Sequence, residues 1–464
     1  MMIAIYWFRN DLRLCDQPSF KNASLHAARL LPVFIHDCTQ VALTRWGFER
    51  MGLHRKYALR SALQALKVEL RQRQSDLIEY QGEPCQALID LAKKFGIETI
   101  FCEEIAAPEE QQQVNRLRRA GLTVNTLWHS SLLAPRDLPF EIERLPLVFT
   151  EFRVAIEKAK VVVQAPEAAV AIVPPLPEGF ELSETRELDN ARLAPLVPVE
   201  STAELDARSS MTFSTANDFA GTQGGLRHTK QYFERQLAHS YKTTRNQLSG
   251  LDYSTKFSVW LASGTLSARM LYQQLQAFET KHGANEGSYW IWFELLWRDY
   301  FRFLHLRFGE QLYRRSGLRQ PKVLNQTPPR SLKLRHTEDI AQMGGAVITS
   351  TAQAEQFRRW CQGECGEPFV DAGMRELRHT GYLSNRLRQV TASYLIHTLN
   401  LDWRAGAAWF ESHLIDYDVY SNQGNWLYIA GLGTDPRGGR AMRTDKQAFE
   451  YDRTETYRKQ WGTL

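Results

Sequence analysis

The sequence predicts two domains of different class: an α/β domain over residues 1–130 and an all-α domain over residues 211–464, joined by a connector over 131–210. Three observations carry this division. Short apolar runs alternate with amphipathic stretches in the first part, prolines punctuate the middle, and helical periodicity dominates from Phe213 onward. At roughly 100–200 residues per domain, a chain of 464 residues accommodates both.

In the N-terminal part, Ile3–Phe8 and Leu31–His36 are apolar runs of strand length. Arg50–Arg73 carries Leu59, Leu63, Leu66 and Leu70 at helical spacing. Leu77–Tyr80 predicts a third strand, Pro84–Phe95 a helix stopping at Gly96, and Thr99–Cys102 a fourth strand. Glu109–Ala120 predicts a helix stopping at Gly121, and Leu122–Leu127 a fifth strand. Strand–helix alternation with apolar strands implies a parallel, Rossmann-like sheet covered on both faces.

From about Ser131 to Ser210 the pattern fails, and Pro166, Pro174, Pro175, Pro177, Pro195 and Pro198 mark a long interdomain connector wrapped on the surface and partly mobile. Helices are expected at Gly225–Ala238, Leu266–His282, Trp290–Phe308, Ala352–Gln362, Asp371–Thr380, Asn385–Thr398 and Ala405–Leu414. No internal repeat is visible.

Composition excludes several classes. No run of about 18 apolar residues is present, so no membrane span is expected. The start MMIAIYWFRNDLRL lacks a signal-peptide core. Six scattered cysteines fit a reducing cytoplasm, and Cys361 with Cys365 makes too small a set for a metal site. Net charge is +5, but Arg298–Arg404 holds 17 Lys/Arg against 10 Asp/Glu, a bias that suits DNA or simply a solvated helical surface. Twelve Trp, seventeen Tyr and twenty-three Phe serve core packing, a stacking surface or an electron path.

Four segments carry chemistry. In YKTTRNQLSGLDYSTKFS (241–258), Ser254, Thr255, Lys256 and Ser258 cluster donors before a helix, suited to a diphosphate or to helix capping. In WIWFELLWRDYFRF (290–303), Glu294 with Trp297 and Trp297 with Tyr300 are three apart, so each pair shares a face, and Glu294 with Arg298 is spaced for an ion pair, as in a core helix. In GEPFVDAGMRELRHTGYLSNRLRQVTASYL (366–395), Asn385, Arg386 and Arg388 open a helix; a buried arginine there needs a partner, and Asp371 is a candidate. In LDWRAGAAWFESHLIDYDVYSNQGNWLYIAGLGTD (401–435), Asp416 and Asp418 bracket Tyr417, with Asn422, Asn425 and Trp426 following; sugar hydroxyls, cofactor ring nitrogens, a cation or helix caps all fit.

Together and in this order, with WFRNDLRLCDQPSF at Trp7–Phe20, these segments resemble the DNA photolyase/cryptochrome family, and within it the cryptochrome-DASH branch. The resemblance spans nearly the whole chain. It implies a light-driven flavoprotein with FAD, U-shaped, in the helical domain. Tyr241, Ser254, Thr255, Lys256 and Ser258 would hold its phosphates, and Asn385 would also contact the cofactor. Glu294, Trp297 and Arg298 would line the flavin or lesion cavity; Arg388 would sit beside the ring system, paired with Asp416, while Asp418 accepts from the ring edge. Asn422 falls at the position facing flavin N5. The implied reaction is cleavage of a cyclobutane pyrimidine dimer by one electron from excited, reduced flavin. Trp297 and Tyr428 would stack on the lesion, and Arg245, Lys256 and Arg386 would neighbour DNA phosphates.

Gln389 and Tyr428 match the DASH pattern, which implies a preference for single-stranded DNA. Trp426 and Trp403 match the inner two members of the family's electron-supplying tryptophan chain, but the outer position is Ser350. Gln423 replaces a tryptophan in SNQGNW. An antenna folate, 5,10-methenyltetrahydrofolate, would use a glutamate at 109 or 110. The four clustered cysteines of the iron–sulfur branch are absent, so no metal is expected, and a monomer is. The competing function is a blue-light receptor signalling through a partner, because a shared fold does not fix function.

Overall fold

The computed structural model describes residues 2–178, 206–211, 221–319, 345–435 and 438–462. The five strands are β1 (Ile3–Phe8), β2 (Arg29–Asp37), β3 (Ile78–Gly82), β4 (Thr99–Glu103) and β5 (Thr123–Leu127). They form one sheet in the order β3-β2-β1-β4-β5, and every pairing is parallel.

The period-two alternation of β1 divides the domain into two cores. Ile5 and Trp7 enter one with Leu31, Val33, Leu88 and Leu91. Ala4, Tyr6 and Phe8 enter the other with Phe20, Leu63, Leu66 and Leu70. Helices α2 (Leu53–Arg71), α3 (Pro84–Phe95) and α4 (Pro108–Arg119) lie where the periodicity places them. Helix α1 (Pro18–His26) was not anticipated: it is short, and its proline at the first turn starts a helix rather than stopping one.

The connector departs from expectation. Helix α5 (Phe149–Ala159) lies inside it and buries Phe149, Phe152 and Ile156 in the core of the helical domain. Those residues are spaced three and four apart, a helical signal overshadowed by the prolines that follow. Buried Asp299 accepts from the Leu132 and Leu133 backbone N–H groups at 2.9 and 2.8 Å, fixing the start of the connector. Residues 179–205 and Phe213 lie outside the described set, as does part of the basic stretch.

In the helical domain come α6 (Gly221–Glu234), α7 (Ser258–Ser263), α8 (Ala268–His282) and the central α9 (Glu286–Phe308). Then follow α10 (Thr351–Gln362), α11 (Pro368–Thr380), α12 (Asn385–Ser393), α13 (Trp403–His413) and α14 (Val419–Ala430). Helix α9 starts with a reciprocal cap between Asn285 and Ser288 and buries Leu295, Leu296, Tyr300 and Phe303. The helix expected over 385–398 is α only to Ser393; a π turn occupies Tyr394–Thr398. Among the described residues no helix is long and apolar enough to cross a membrane, and none forms a metal-binding cluster.

Candidate functional site

A cavity of about 250 Å³ opens within the helical domain. Its wall includes Tyr241, Arg245, Ser254, Thr255, Lys256 and Ser258 on one side. Glu294 and Arg298 come from α9, Asn385 and Arg388 from α12, and Asp416 and Asp418 precede α14. Residues from four distant segments thus meet at one place.

Charge is what distinguishes this wall. Arg388 bonds Asp416 at 2.9 Å and the Leu383 carbonyl at 2.8 Å. Burial opposes the Arg388 charge, but Asp416 outweighs it and holds the guanidinium above its ordinary range. Arg245 pairs with Glu294. Asp418 pairs with Arg302 at 2.5 Å and caps α14 through the Ser421 N–H at 2.8 Å. Burial raises Asp418, yet Arg302 and Arg298 more than offset it and hold it near 2.

Two cations have no carboxylate partner among the described residues. Lys256 is buried at 4 % exposure; its ammonium reaches the Tyr382 hydroxyl at 3.2 Å and sits over the Tyr253 and Tyr382 rings. Burial lowers it to about 7. Arg298 donates only to the Ser130 and Leu261 carbonyls, at 2.5 and 3.2 Å; burial, then Arg302, lowers it to about 9. A buried charge without a counter-charge is costly, so the cavity fits an anionic ligand. Asp416 also keeps one buried oxygen, Oδ1, without a partner. A diphosphate at the Lys256 end and a hydroxyl- or N–H-bearing group at the Asp416 end match what FAD offers.

Two candidate pairings do not form. Glu294 and Arg298 do not bond each other: Glu294 is taken by Arg245, and Arg298 by the two carbonyls. Asp371 does not serve an arginine; it accepts from the Cys365 and Gly366 backbone at 2.8 and 2.9 Å. Tyr253, Tyr382 and Arg302 belong to the site but carried no signal of their own. Arg302 lies one turn beyond Arg298 on α9, and that spacing is the clue that could have found it.

The remaining candidates lie outside the cavity wall. Asn422 donates to the Ala407 carbonyl at 3.0 Å, one residue after the wall residue Ser421. Trp426, one turn on, is buried against Phe410 and Trp360. A Cβ at Gly406 would stand 2.2 Å from the Trp426 ring, so only glycine lets α13 approach it. Trp403 is buried and donates to the Arg315 carbonyl at 3.0 Å. Trp297 stacks on Phe149 at 3.8 Å and meets Tyr428 edge-on at 5.8 Å. The Tyr428 hydroxyl bonds Arg440 at 2.6 Å. Arg386 bonds Asn246 at 3.0 Å, approaches Gln389 at 3.4 Å and lies over the Tyr451 ring.

A second cavity of about 220 Å³ lies at the C-terminal ends of β1 and β2, roofed by Trp260, Glu411 and Tyr417. In strand order β3-β2-β1-β4-β5 the connections reverse direction beside β1, where open α/β sheets leave a crevice for ligands. Glu109 and Glu110 both line it; Glu109 is gripped by both Arg50 Nη atoms at 2.8 and 2.7 Å.

The comparisons with known proteins agree with this geometry. Residues 4–172 match the DNA photolyase family model, and residues 290–462 match the FAD binding domain of DNA photolyase. Cryptochrome DASH of Gloeobacter violaceus is 38 % identical over 98 % of this chain and 85 % of its own length. The chain belongs to the photolyase/cryptochrome family, in its DASH branch. A solved cryptochrome from Synechocystis sp. superposes with a TM-score of 0.84 at 35 % identity, covering 99 % of this chain and 88 % of that one. An archaeal photolyase from Sulfolobus tokodaii, solved with two FAD molecules, shares the fold at a TM-score of 0.70 and 23 % identity, over 99 % of this chain and 90 % of its own. The helical domain of this DASH-branch chain is thus a FAD-binding domain of the photolyase type.

Proposed function

We propose that the protein is a blue-light photolyase that opens cyclobutane pyrimidine dimers, preferentially in single-stranded DNA, by one-electron donation from reduced FAD. The observation that carries the reading is the charge pattern of the helical cavity: buried Lys256 and half-buried Arg298, neither with a carboxylate partner among the described residues, beside the Arg388–Asp416 pair. FAD bound there supplies the absorption of blue light and the electron that opens the dimer. Lys256 and the hydroxyls of Tyr241, Ser254, Thr255 and Ser258 would hold its diphosphate. Arg388, steadied by Asp416, keeps positive charge where a reduced ring gains negative charge, and the carboxylate prevents an uncompensated cation. Asn422, an amide, adds no negative charge of its own beside the ring. No acid, base or nucleophile is required for the bond cleavage, and the wall offers none arranged as such.

On the substrate side, Trp297 and Tyr428 meet edge-on, and Lys242 and Arg245 flank Trp290 at 5.1 and 5.4 Å. Aromatic rings interleaved with cations suit a single strand. A dimer must leave its stack, which costs least in single strands. With the Tyr428 hydroxyl bound to Arg440 and Gln389 polar, the lesion side offers a looser grip than an all-apolar cleft. The switch-point cavity would hold the antenna folate: Glu110, which makes no ion pair among the described residues, is the acceptor for its pterin amino group, since Glu109 is occupied by Arg50. Six free cysteines suit a reducing compartment such as the cytoplasm.

The deciding experiment is repair. Anaerobically reduced protein is illuminated with a thymine-dimer oligonucleotide, single-stranded and duplex, with dark controls. Light-dependent restoration in the single strand, with little in duplex, is expected. No restoration in either, with flavin bound and photoactive, would replace this reading by the receptor.

A further inference from the structure

Light-driven reduction of a bound flavin needs an electron path to solvent, and the position that would end it, Ser350, is not redox-active. It is an exposed helix cap, its hydroxyl accepting from the Gln353 N–H at 3.2 Å. Every Trp and Tyr of the chain lies within the described residues. Trp403 makes no ring–ring contact among them. Trp426 does: its ring meets Trp360 at 6.5 Å and Phe410 at 5.1 Å, and Phe410 meets Trp360 at 6.3 Å. Trp360 is fully buried and stacks on Phe357 at 6.0 Å and 18°. Phe357 touches Trp46 at 6.2 Å and Phe48 at 6.4 Å, and Phe48 touches Trp409 at 5.0 Å. A continuous series of rings therefore runs from α14 through α10 to the loop after β2 in the other domain.

We propose that Trp46 is the terminal electron donor of this protein, reached from Trp426 through Trp360, with Phe357 as the medium between Trp360 and Trp46. The proposal rests on the reading of the helical cavity as the FAD site. Phenylalanine is too hard to oxidise to hold the vacancy, so the last step crosses Phe357 without stopping on it. Two tryptophans lie at the end of the series, and their indole N–H groups separate them. That of Trp409 is buried without a partner, so an oxidised Trp409 has nowhere to release its proton. Trp46 is half-buried, with no such trapped group. The Arg45 guanidinium lies over its ring at 4.3 Å. A cation there repels the oxidised, still-protonated indole and favours loss of the N–H proton to water, which traps the vacancy at the surface. Trp426 supplies the one electron that the excited flavin takes up, the vacancy passes to Trp360, and Trp46 fills it with one electron while its Nε1 gives one proton to water. A small thiol then returns one hydrogen atom to the neutral Trp46 radical and leaves as a thiyl radical.

The test uses the full-length protein loaded with FAD. A single blue flash is followed by the indolyl radical absorption, and steady photoreduction is then measured with dithiothreitol. Trp46→Phe and Trp360→Phe are expected to remove the long-lived radical and to slow photoreduction at least tenfold at unchanged FAD content. Trp46→Tyr, which restores an oxidisable ring, should recover part of the rate. Trp409→Phe should stay within twofold of the parent. A long-lived radical that survives Trp46→Phe overturns the proposal, all the more if Trp403→Phe abolishes it. A parent protein that takes up no FAD refutes the flavin reading itself, whereas a FAD-loaded parent whose radical ignores Trp46 refutes only the route.

Discussion

Two of the molecule's cavities, in the helical domain and at the sheet's switch point, have nearly equal volumes of about 250 and 220 Å³, and their walls have opposite electrostatic balance. The helical cavity is lined by Arg245, Lys256, Arg298 and Arg388 against Glu294, Asp416 and Asp418, and the last of these is already neutralised from behind by Arg302. The switch-point cavity is lined by Asp37, Glu109, Glu110 and Glu411 against Arg9, Arg50 and Arg55. There Arg50 is bridged between Glu109 and Glu411, at 2.7 and 2.6 Å. Volume therefore says little about the occupant. An excess of cation suits an anionic ligand, and an excess of carboxylate suits one that donates hydrogen bonds.

The largest effect that separates the two cavities is expected from Arg388→Met. It strands Asp416 as a buried, uncompensated charge, and removing one partner of such a pair costs about 3–5 kcal/mol. The purified variant should carry almost no FAD and unfold well below the parent; retention of FAD at the parental level would show that the pair is not part of that site.

Lys256→Met comes next. A charge-assisted contact is worth about 1.5–3 kcal/mol, so FAD affinity should fall roughly 10- to 100-fold at pH 7. Without ligand the sign reverses. Lys256 titrates near 7 in the folded protein against an ordinary 10.5 because burial disfavours its charge. Between those values the unfolded chain binds the extra proton, so this group's destabilisation is full below pH 7 and fades as pH rises toward 10.5. FAD-free Lys256→Met should exceed the parent in stability at pH 6–7 and converge on it near pH 10. A constant difference across that range would mean that Lys256 is not the orphaned cation described.

Trp426→Phe probes supply rather than binding. It should abolish light-driven reduction while chemically reduced protein repairs dimers as before; equal photoreduction in variant and parent would reject Trp426 as the entry to the path. The smallest effect belongs to the other cavity. Glu109→Gln weakens a half-exposed ion pair, and such pairs contribute about 0.2–1 kcal/mol. The melting temperature should barely move and FAD content should stay unchanged. A loss of FAD would break the distinction between the two cavities.

Some of this was legible without coordinates. The five strands and the helices α2, α3 and α4 follow from apolar periodicity, because local pattern dictates local structure where both faces of a sheet are covered. The donor cluster at 254–258, the Arg388 helix and the Asp416–Asp418 pair stood out as chemical segments, and the family resemblance assigned their partners. Two pairings that the sequence left open do not form. Glu294 and Arg298 could pair by their spacing on one helix, but Arg298 is taken by carbonyls of other segments; Asp371, a candidate for a buried arginine, is instead taken by the Cys365 and Gly366 backbone N–H groups.

The sequence by itself determined the order of the domains, the parallel sheet and the identity of the donor set, because these depend on periodicity and on residue type. Only the tertiary structure decided which charges lack partners. The sequence marks Lys256 as one donor of a cluster; only the fold shows that Tyr253 and Tyr382 close over it and that no carboxylate pairs with it among the described residues. The packing of Trp360 and Phe357 between Trp426 and Trp46, across more than three hundred positions of chain, is likewise a property of the folded core. Burial and charge imbalance are set by contacts between distant segments, and no local pattern encodes them.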